Sequence, residues 1–243
     1  MTVAIDVQGL GKAYGAKIAV HPLSLTIQQG EIFALLGVNG AGKTTLINML
    51  SCLIKPTEGD AFLLGNSILS AKQKVKERIA VSPQETAIAP NLSVRENLRL
   101  MAGVHGFHKK VAERKVEEML TLFSLRPVEK QRSKTLSGGW KRRLSIAMAL
   151  ISEPEILFLD EPTLGLDILA RRELWTVIQH LKGKVTLILT THYLEEAEAL
   201  AHHICIMKAG HIEALGTAEE LMQRTGTQRF EDAFVNIVGG EIG

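Results

Sequence analysis

The chain has 243 residues, of which 46% are hydrophobic, 5% are aromatic and 22% are charged, and its formal net charge is +2. This length fits one large domain, or one domain that carries an inserted subdomain. The near-neutral charge gives no reason to expect a nucleic-acid partner. The many aliphatic residues favour a buried sheet flanked by helices.

The sequence carries no sign of secretion or of a membrane span. Its two cysteines, Cys52 and Cys205, stand in unrelated contexts and predict neither a disulfide framework nor a metal site. A reducing cytosol is then the simplest compartment. The N-terminus lacks a signal-peptide pattern, and the longest apolar runs are far shorter than the roughly 20 residues that cross a bilayer. We expect a chain that is soluble by itself and meets a membrane only through a partner.

The predicted elements begin with short strands in the first 36 residues, and these indicate an N-terminal antiparallel β subdomain. After Gly37 the apolar spacing changes to that of a helix. Residues 85–152 carry three helical patterns and no convincing strand, which predicts an inserted α-helical subdomain. Within it, Ser93 and Glu96 form a capping-box signature, and 109–125 is amphipathic.

Strands and helices alternate again from residue 155, which indicates a mostly parallel sheet with helices on both faces. Thr217 and Glu220 suggest a second capping box, and 229–240 reads as a short amphipathic helix. We therefore predict an α/β fold. Its predicted divisions are 1–84 (β subdomain and first half of the core), 85–152 (helical subdomain), 153–220 (second half of the core) and 221–243 (helical tail).

A glycine-rich loop with the pattern G-x-x-x-x-G-K-[ST] follows an apolar strand and opens a helix, which is the context of a phosphate-binding loop. Its backbone N–H groups can converge on phosphates at a helix N-terminus. Lys43 supplies a cation for the outer phosphates, Thr44 a hydroxyl for magnesium, and Thr45 reaches an inner phosphate. The loop consists of Gly37, Val38, Asn39, Gly40, Ala41, Gly42, Lys43 and Thr44.

Two carboxylates follow the continuous apolar run 156–159, which is typical of a strand buried on both faces. Acidic residues at the end of a buried strand are costly to desolvate unless they serve a cation or a proton. Asp160 suits a magnesium shell. Glu161 suits a general base for an attacking water.

These motifs, with five others in a fixed order, resemble the nucleotide-binding domain of an ABC transporter over roughly residues 3–220. The resemblance implies a P-loop NTPase fold with a RecA-like, mostly parallel core, and it implies ATP and Mg²⁺ as ligands. The other matching features are Tyr14 in KAYG, Gln84 in SPQ, the signature LSGGW at 136–140, Asp167 in PTLGLD and His192 in TTH.

The resemblance also implies the roles of these residues. Tyr14 stacks on adenine, Gln84 senses magnesium and the water, and His192 contacts the γ-phosphate. Two such domains meet head to tail, so that the signature residues of one cap the γ-phosphate held by the other, and Asp167 lies at their interface. The signature residues are Ser137, Gly138, Gly139 and Trp140.

The largest departure from the family pattern is Trp140, which stands where glutamine is usual. Three interpretations stay open. The ring packs against the ribose or the neighbouring subunit, it lies on its own helical subdomain, or it marks a site that hydrolyses slowly. The following run, Lys141 to Arg143, is interpreted as the solvated face of the signature helix rather than a nucleic-acid patch.

The segments EPTLGLD and RFEDAFVNIVGG resemble the branch of drug, sodium and polysaccharide exporters with ABC-2-type permeases. The leading hypothesis is an ATPase subunit at the cytoplasmic face of the inner membrane that powers export through a separate permease. It would work with a second nucleotide-binding domain, identical or different. The alternatives are a soluble ABC ATPase with a DNA, ribosome or assembly role, and a non-hydrolysing ATP-gated module.

Overall fold

The computed structural model describes residues 2–239, which form two sheets and the helices around them. The strands are β1 (Val3–Tyr14), β2 (Lys17–Gln28), β3 (Ile32–Leu36), β4 (Glu58–Leu63), β5 (Asn66–Ser67), β6 (Ile79–Ser82), β7 (Ile156–Asp160), β8 (Thr186–Thr191), β9 (His203–Lys208) and β10 (His211–Gly216). The helices are α1 (Lys43–Leu50), α2 (Lys72–Lys76), α3 (Val94–Val104), α4 (Lys109–Leu122), α5 (Gly138–Leu150), α6 (Ile168–His180), α7 (Leu194–Leu200), α8 (Ala218–Thr225) and α9 (Phe230–Gly239).

The N-terminal sheet is antiparallel, as predicted, and has the order β2-β1-β4-β5. Its first two strands, of 12 residues each, are longer than the short strands predicted, and β1 runs through Gly9 and Gly11. Gly9 adopts φ +58°, and the pairing register with β2 shifts between Val7 and Leu10. A β-bulge thus absorbs the glycine and bends the strand without ending it.

The second sheet has six strands in the order β10-β9-β3-β8-β7-β6. All neighbouring pairs are parallel except the hairpin of β9 and β10. Every residue of β3, β7 and β8 is buried, which explains why their sequences are continuous apolar runs rather than alternating ones. The predicted α/β architecture with a mostly parallel sheet is confirmed.

The parallel sheet separates two apolar cores. Alternate residues of β3 enter each core: Ile32, Ala34 and Leu36 face one, and Phe33 and Leu35 face the other. The first core joins the sheet to α3, α4 and α5, and the second joins it to α1 and the N-terminal sheet. The sheet is therefore held from both sides, and the carboxyl ends of β3, β7 and β8 meet at one fixed edge.

The stretch between β6 and β7 contains α3, α4 and α5 together with short 3₁₀ turns at Arg126–Val128 and Ser133–Thr135. The capping boxes predicted at Ser93 and Thr217 are both present, at the starts of α3 and α8. The predicted C-terminal helix corresponds to α9, although Gly240 lies outside the described residues. None of the helices within residues 2–239 combines the length and the apolar character needed to cross a membrane.

Candidate nucleotide-binding site

A cavity of about 620 Å³ lies at the carboxyl edge of the parallel sheet, where it meets the N-terminal sheet. In open parallel sheets, this edge is where ligands bind. The structure brings most of the sequence-predicted site residues to its wall. The predicted residues that line it are Tyr14, Asn39, Gly40, Ala41, Gly42, Lys43, Thr44, Thr45, Gln84, Glu161 and His192.

The glycine-rich loop leads from β3 into α1 with two residues in the left-handed region, Gly40 at φ +84° and Gly42 at φ +101°. A Cβ atom at Gly42 would stand 2.7 Å from the carbonyl oxygen of Ala19, so both its conformation and the close approach of β2 require glycine. Gly42 is also the N-cap of α1, with no side chain capping the first turn. The helix N-terminus therefore presents N–H groups suited to an anion.

Lys43 lies buried at the start of α1, with its amine between the glycine-rich loop and the acidic strand end. Its Nζ donates to the carbonyl of Gly37 at 2.6 Å and lies 3.5 Å from Glu161 Oε1. A buried cation needs such partners. They aim the amine along the loop, where phosphates of a bound nucleotide would lie.

Asp160, the last residue of β7, is tied to hydroxyls on both sides. Thr44 Oγ1 donates to Asp160 Oδ1 at 3.3 Å, and Thr190 Oγ1 on β8 donates to the same oxygen. The carboxylate is buried. Its position beside the Thr44 hydroxyl brings together two oxygen ligands of the kind that magnesium prefers.

Glu161 follows at once and adopts φ +47°, an uncommon conformation for a residue with a side chain. Its N–H donates to Thr190 Oγ1 at 2.9 Å. Its carboxylate Oε2 lies 2.8 Å from His192 Nδ1, at the end of β8. Strain at a candidate catalytic residue, held by its surroundings, is typical of an active site.

The signature residues do not line this cavity in the single chain, within the described part of the protein. Ser137 is the N-cap of α5, and it and Gly138 are exposed. A Cβ atom at Gly139 would stand 3.1 Å from Ala170 Cβ, so the signature packs closely on α6. Asp167 caps α6 by accepting a hydrogen bond from the Ala170 N–H at 2.9 Å.

Trp140 belongs to α5, and its side chain is partly buried against the core of the helical subdomain. The guanidinium carbon of Arg143 lies 4.9 Å from the centre of its ring, and Arg143 is also paired with Glu173 on α6. The contact has the geometry of a cation–π interaction. Of the interpretations of this tryptophan, the packing favours a ring that lies on its own subdomain.

The interpretation of 141–143 as a solvated face is wrong for Arg142 and Arg143, which are only 5% and 6% exposed. Both arginines face inward because each has acceptors there. Arg143 forms an ion pair with Glu173, and Arg142 donates hydrogen bonds to backbone carbonyls at and just after the end of β7. Buried charges with such partners are tolerated in a protein core.

Sequence reasoning also missed residues that complete the site. Lys17, Ile18 and Ala19 line the cavity at the start of β2, and a turn after Tyr14 could have indicated them, since a tight hairpin returns the chain beside its own end. Thr190 had no signal beyond its place in TTH. Gly37 and Val38, although predicted, are not among the described residues lining the cavity, and Leu164 and Ala209 complete its wall.

The comparisons with known proteins agree with this geometry. The family model described as ABC transporter matches residues 20–164. A daunorubicin resistance ATP-binding protein, DrrA3, from Streptomyces coeruleorubidus is 41% identical over 229 residues, which cover 94% of this chain and 72% of that protein. The chain belongs to the ABC transporter family.

Two solved ABC structures show the same fold. The ATP-binding subunit of an ABC transporter superposes with a TM-score of 0.85 at 28% identity, covering 96% of this chain and 99% of that one. A dimeric ATP-binding cassette in a post-hydrolysis state with ADP and Pi gives 0.78 at 25% identity, covering 88% and 98%. The predicted P-loop NTPase fold is confirmed, and the chain is an ATP-binding, ATP-hydrolysing subunit of an ABC transporter.

Proposed function

We propose that this subunit energises export through a separate ABC-2-type permease at the cytoplasmic face of the inner membrane. The observation that supports hydrolysis is the convergence of Lys43, Glu161 and His192 around one cavity. Asp160 precedes Glu161 and is hydrogen-bonded to Thr44 in the wall of the same cavity. The similarity to a daunorubicin resistance ATP-binding protein supports export and a drug-like cargo.

The polar groups present fit a Mg²⁺ ion that is completed by phosphate oxygens. Thr44 and Asp160 already lie within 3.3 Å of one another through Oγ1 and Oδ1, and Gln84 lines the same cavity. Within residues 2–239 no cluster of three or more histidine, cysteine or acidic side chains could hold a metal alone. A site with one carboxylate is what Mg²⁺ bound with a nucleotide uses. The ion supplies charge neutralisation to the phosphates.

The protein residues then share the work of hydrolysis. Tyr14 stacks on the adenine, the loop amides and Lys43 hold the phosphates, and Glu161 accepts a proton from the water that attacks the γ-phosphorus. With Nδ1 protonated, His192 donates to Glu161 Oε2 and orients the carboxylate. The water oxygen forms its bond to phosphorus as the bond to the ADP oxygen breaks.

A second nucleotide-binding domain completes this site. Ser137 and the amides of Gly138 and Gly139 begin α5 at an exposed helix N-terminus, which suits a γ-phosphate presented by the partner. Asp167 belongs to the same face, beside Ala170. The relative solved as a dimer with ADP and Pi supports this arrangement.

The helices after Gln84 suit the role of permease contact. Leu100 and Val104 on α3 are large apolar side chains left exposed, at 47% and 69%, and an apolar face of this kind can receive a short helix of a partner. Closure of two subunits on ATP would move this face with α5, because α3 and α5 share one core.

Co-expression with a candidate ABC-2-type permease, followed by purification in detergent, tests the proposal. We expect a stable complex whose ATPase activity falls by about 100-fold or more in Glu161→Gln, together with ATP-dependent export in vesicles. Two variants test whether α3 contacts the permease. Val104→Glu places a charge on the exposed apolar face of α3 and should weaken the complex. Leu53→Glu places the same charge on an exposed apolar residue beyond α1 and should leave the complex intact. Failure to co-purify counts against the transport role, and ATPase activity stimulated by nucleic acid would indicate a soluble ABC ATPase instead.

A further inference from the structure

Arg142 lies in α5, whose residues Leu144 and Ile146 belong to the apolar core, yet its guanidinium is buried against backbone carbonyls. Nη2 donates to the carbonyl of Asp160 at 2.6 Å, and Nε donates to the carbonyl of Pro162 at 2.9 Å. Nη1 donates to the carbonyl of Pro83, next to Gln84. One side chain thus joins the signature helix to the end of β7 and to the segment after β6.

The first two of these carbonyls belong to the residues before and after Glu161, namely Asp160 at the end of β7 and Pro162. This residue adopts φ +47°, a conformation that costs free energy unless the surroundings fix it. Thr190 Oγ1 accepts a hydrogen bond from the backbone N–H of Glu161. Through the Asp160 carbonyl, Arg142 holds the peptide plane that precedes Glu161, and through the Pro162 carbonyl it holds the plane that follows Pro162. The two-residue segment of Glu161 and Pro162 is thus held at both ends by one guanidinium.

The guanidinium is suited to this task because its planar fork offers five N–H donors in fixed directions and no acceptor. Burial lowers the pKa of Arg142 to about 10, an effect that the charges of Asp160, Glu196 and Glu161 oppose. The side chain therefore remains a cation at neutral pH. A lysine offers the same charge but cannot reach three carbonyls from one plane.

The next residue provides an internal comparison. Arg143 is equally buried and equally charged, but it pairs with Glu173 and lies against the Trp140 ring. Its hydrogen bond goes to that glutamate on α6. The two neighbouring arginines are therefore alike in burial and charge, and they differ in the groups that they contact: Glu173 for Arg143 and backbone carbonyls for Arg142.

We propose that Arg142 is a positioning residue that fixes the backbone of Glu161 and so aims its carboxylate at the attacking water. The inference rests on the proposed role of Glu161 in hydrolysis. Because Arg142 belongs to the helix that begins at the signature, its hydrogen bonds also transmit displacements of the α5 N-terminus to the base.

The test compares Arg142→Met, Arg142→Lys and the matched control Arg143→Met in the purified subunit, with its permease where activity requires it. We expect Arg142→Met to lower kcat by about tenfold or more, with ATP affinity and KM changed by less than about threefold. Arg142→Lys should recover part of kcat, because its ammonium restores the charge and can donate to a carbonyl from a single nitrogen. Arg143→Met should keep kcat within about threefold. Thermal melting confirms that each variant is folded, and Arg142→Lys serves if Arg142→Met is not.

A double-variant cycle separates positioning from other effects. In the Glu161→Gln background, Arg142→Met should lower the remaining activity by less than about twofold, because the group that it positions is gone. Unchanged kcat in folded Arg142→Met, a loss of ATP affinity as large as the loss of kcat, or full additivity with Glu161→Gln would overturn the proposal. If Glu161→Gln keeps wild-type kcat, the proposed role of Glu161 has failed instead.

Discussion

His192 Nδ1 lies 2.8 Å from Glu161 Oε2, so two residues that directly follow neighbouring parallel strands share one hydrogen bond. The contact fixes the carboxylate at one oxygen while Lys43 Nζ stands 3.5 Å from the other. The acidic group is thus oriented by two basic groups from different elements. It is the feature of the cavity most directly suited to chemistry on a phosphate.

Glu161→Gln should lower kcat by about 100-fold or more, since it removes the proton acceptor. His192→Ala should lower kcat by about tenfold or more, because the carboxylate loses its orienting partner. ATP binding should persist in both, since the loop and Lys43 remain. Phosphate release measures the rate, and a fluorescent ATP analogue measures the affinity.

His180→Ala is the control for the histidine variant, since His180 is an exposed residue at the end of α6. It should behave as wild type. Equal losses in His180→Ala and His192→Ala would contradict a specific role for the pair.

Gly42→Ala should abolish ATP binding, because its Cβ would meet the Ala19 carbonyl at 2.7 Å and the loop would have to move. Gly40→Ala is the matched variant: its φ of +84° carries a similar conformational cost, but nothing lies within 4 Å of the added atom. We expect the affinity of Gly40→Ala for ATP to fall far less, as measured by equilibrium titration. Identical losses would mean that backbone conformation, not the contact with β2, limits the loop.

Glu196 should make stability depend on pH. It is fully buried on α7 and accepts a hydrogen bond from Trp175 Nε1 at 3.1 Å, and burial raises its pKa above the ordinary value of 4.5. A raised pKa in the folded state means that its contribution to stability is complete below 4.5 and is lost as pH rises through the folded pKa. Glu196→Gln removes this loss. The urea unfolding midpoint of the wild type should therefore fall relative to that of Glu196→Gln as the pH rises.

The control for this variant is Glu195→Gln, which changes an exposed residue on the same helix. Its midpoints should follow those of the wild type at each pH. Parallel pH profiles for Glu196→Gln and the wild type would show that the buried carboxylate does not titrate with unfolding.

Trp140→Phe should leave ATP-dependent dimerisation intact, since the ring packs on its own helix beside Arg143. Trp140→Ala should destabilise the fold by about 1–2 kcal/mol, because the partly buried contact and its cation–π interaction are lost. Light scattering of Glu161→Gln, with and without Trp140→Phe, measures the dimer. Loss of the dimer in Trp140→Phe would indicate that the ring reaches the partner.

The sequence predicted the fold through features that are local in the chain. The buried strands are continuous apolar runs, and both capping boxes lie within three residues of their helix starts. The position of Glu161 followed from the strand that ends before it, and that of Lys43 from the glycine-rich pattern and the helix that it begins. By contrast, the extent of β1 was missed, because a glycine inside a bulge has the same sequence signal as a glycine that ends a strand.

The burial of Arg142 was missed for a different reason. Its acceptors are carbonyls of residues about 20 positions ahead and about 60 positions behind. Backbone carbonyls are present in every sequence and give no signal of their own. From the sequence alone, a run of basic residues therefore predicts a solvated helix face. The burial of Arg142 becomes visible only when the positions of the accepting carbonyls are known.

The strand order of the parallel sheet has a consequence for synthesis. β3 lies between β9 and β8, and β7 lies on the far side of β8. β3, which leads into the phosphate loop, is the first strand of this sheet to leave the ribosome, but its neighbours β8 and β9 begin only at Thr186 and His203. Contacts so distant in the chain are slow to form. The nascent chain thus carries a glycine-rich loop whose strand has no neighbour in its own sheet until β8 is made, about 150 residues after β3.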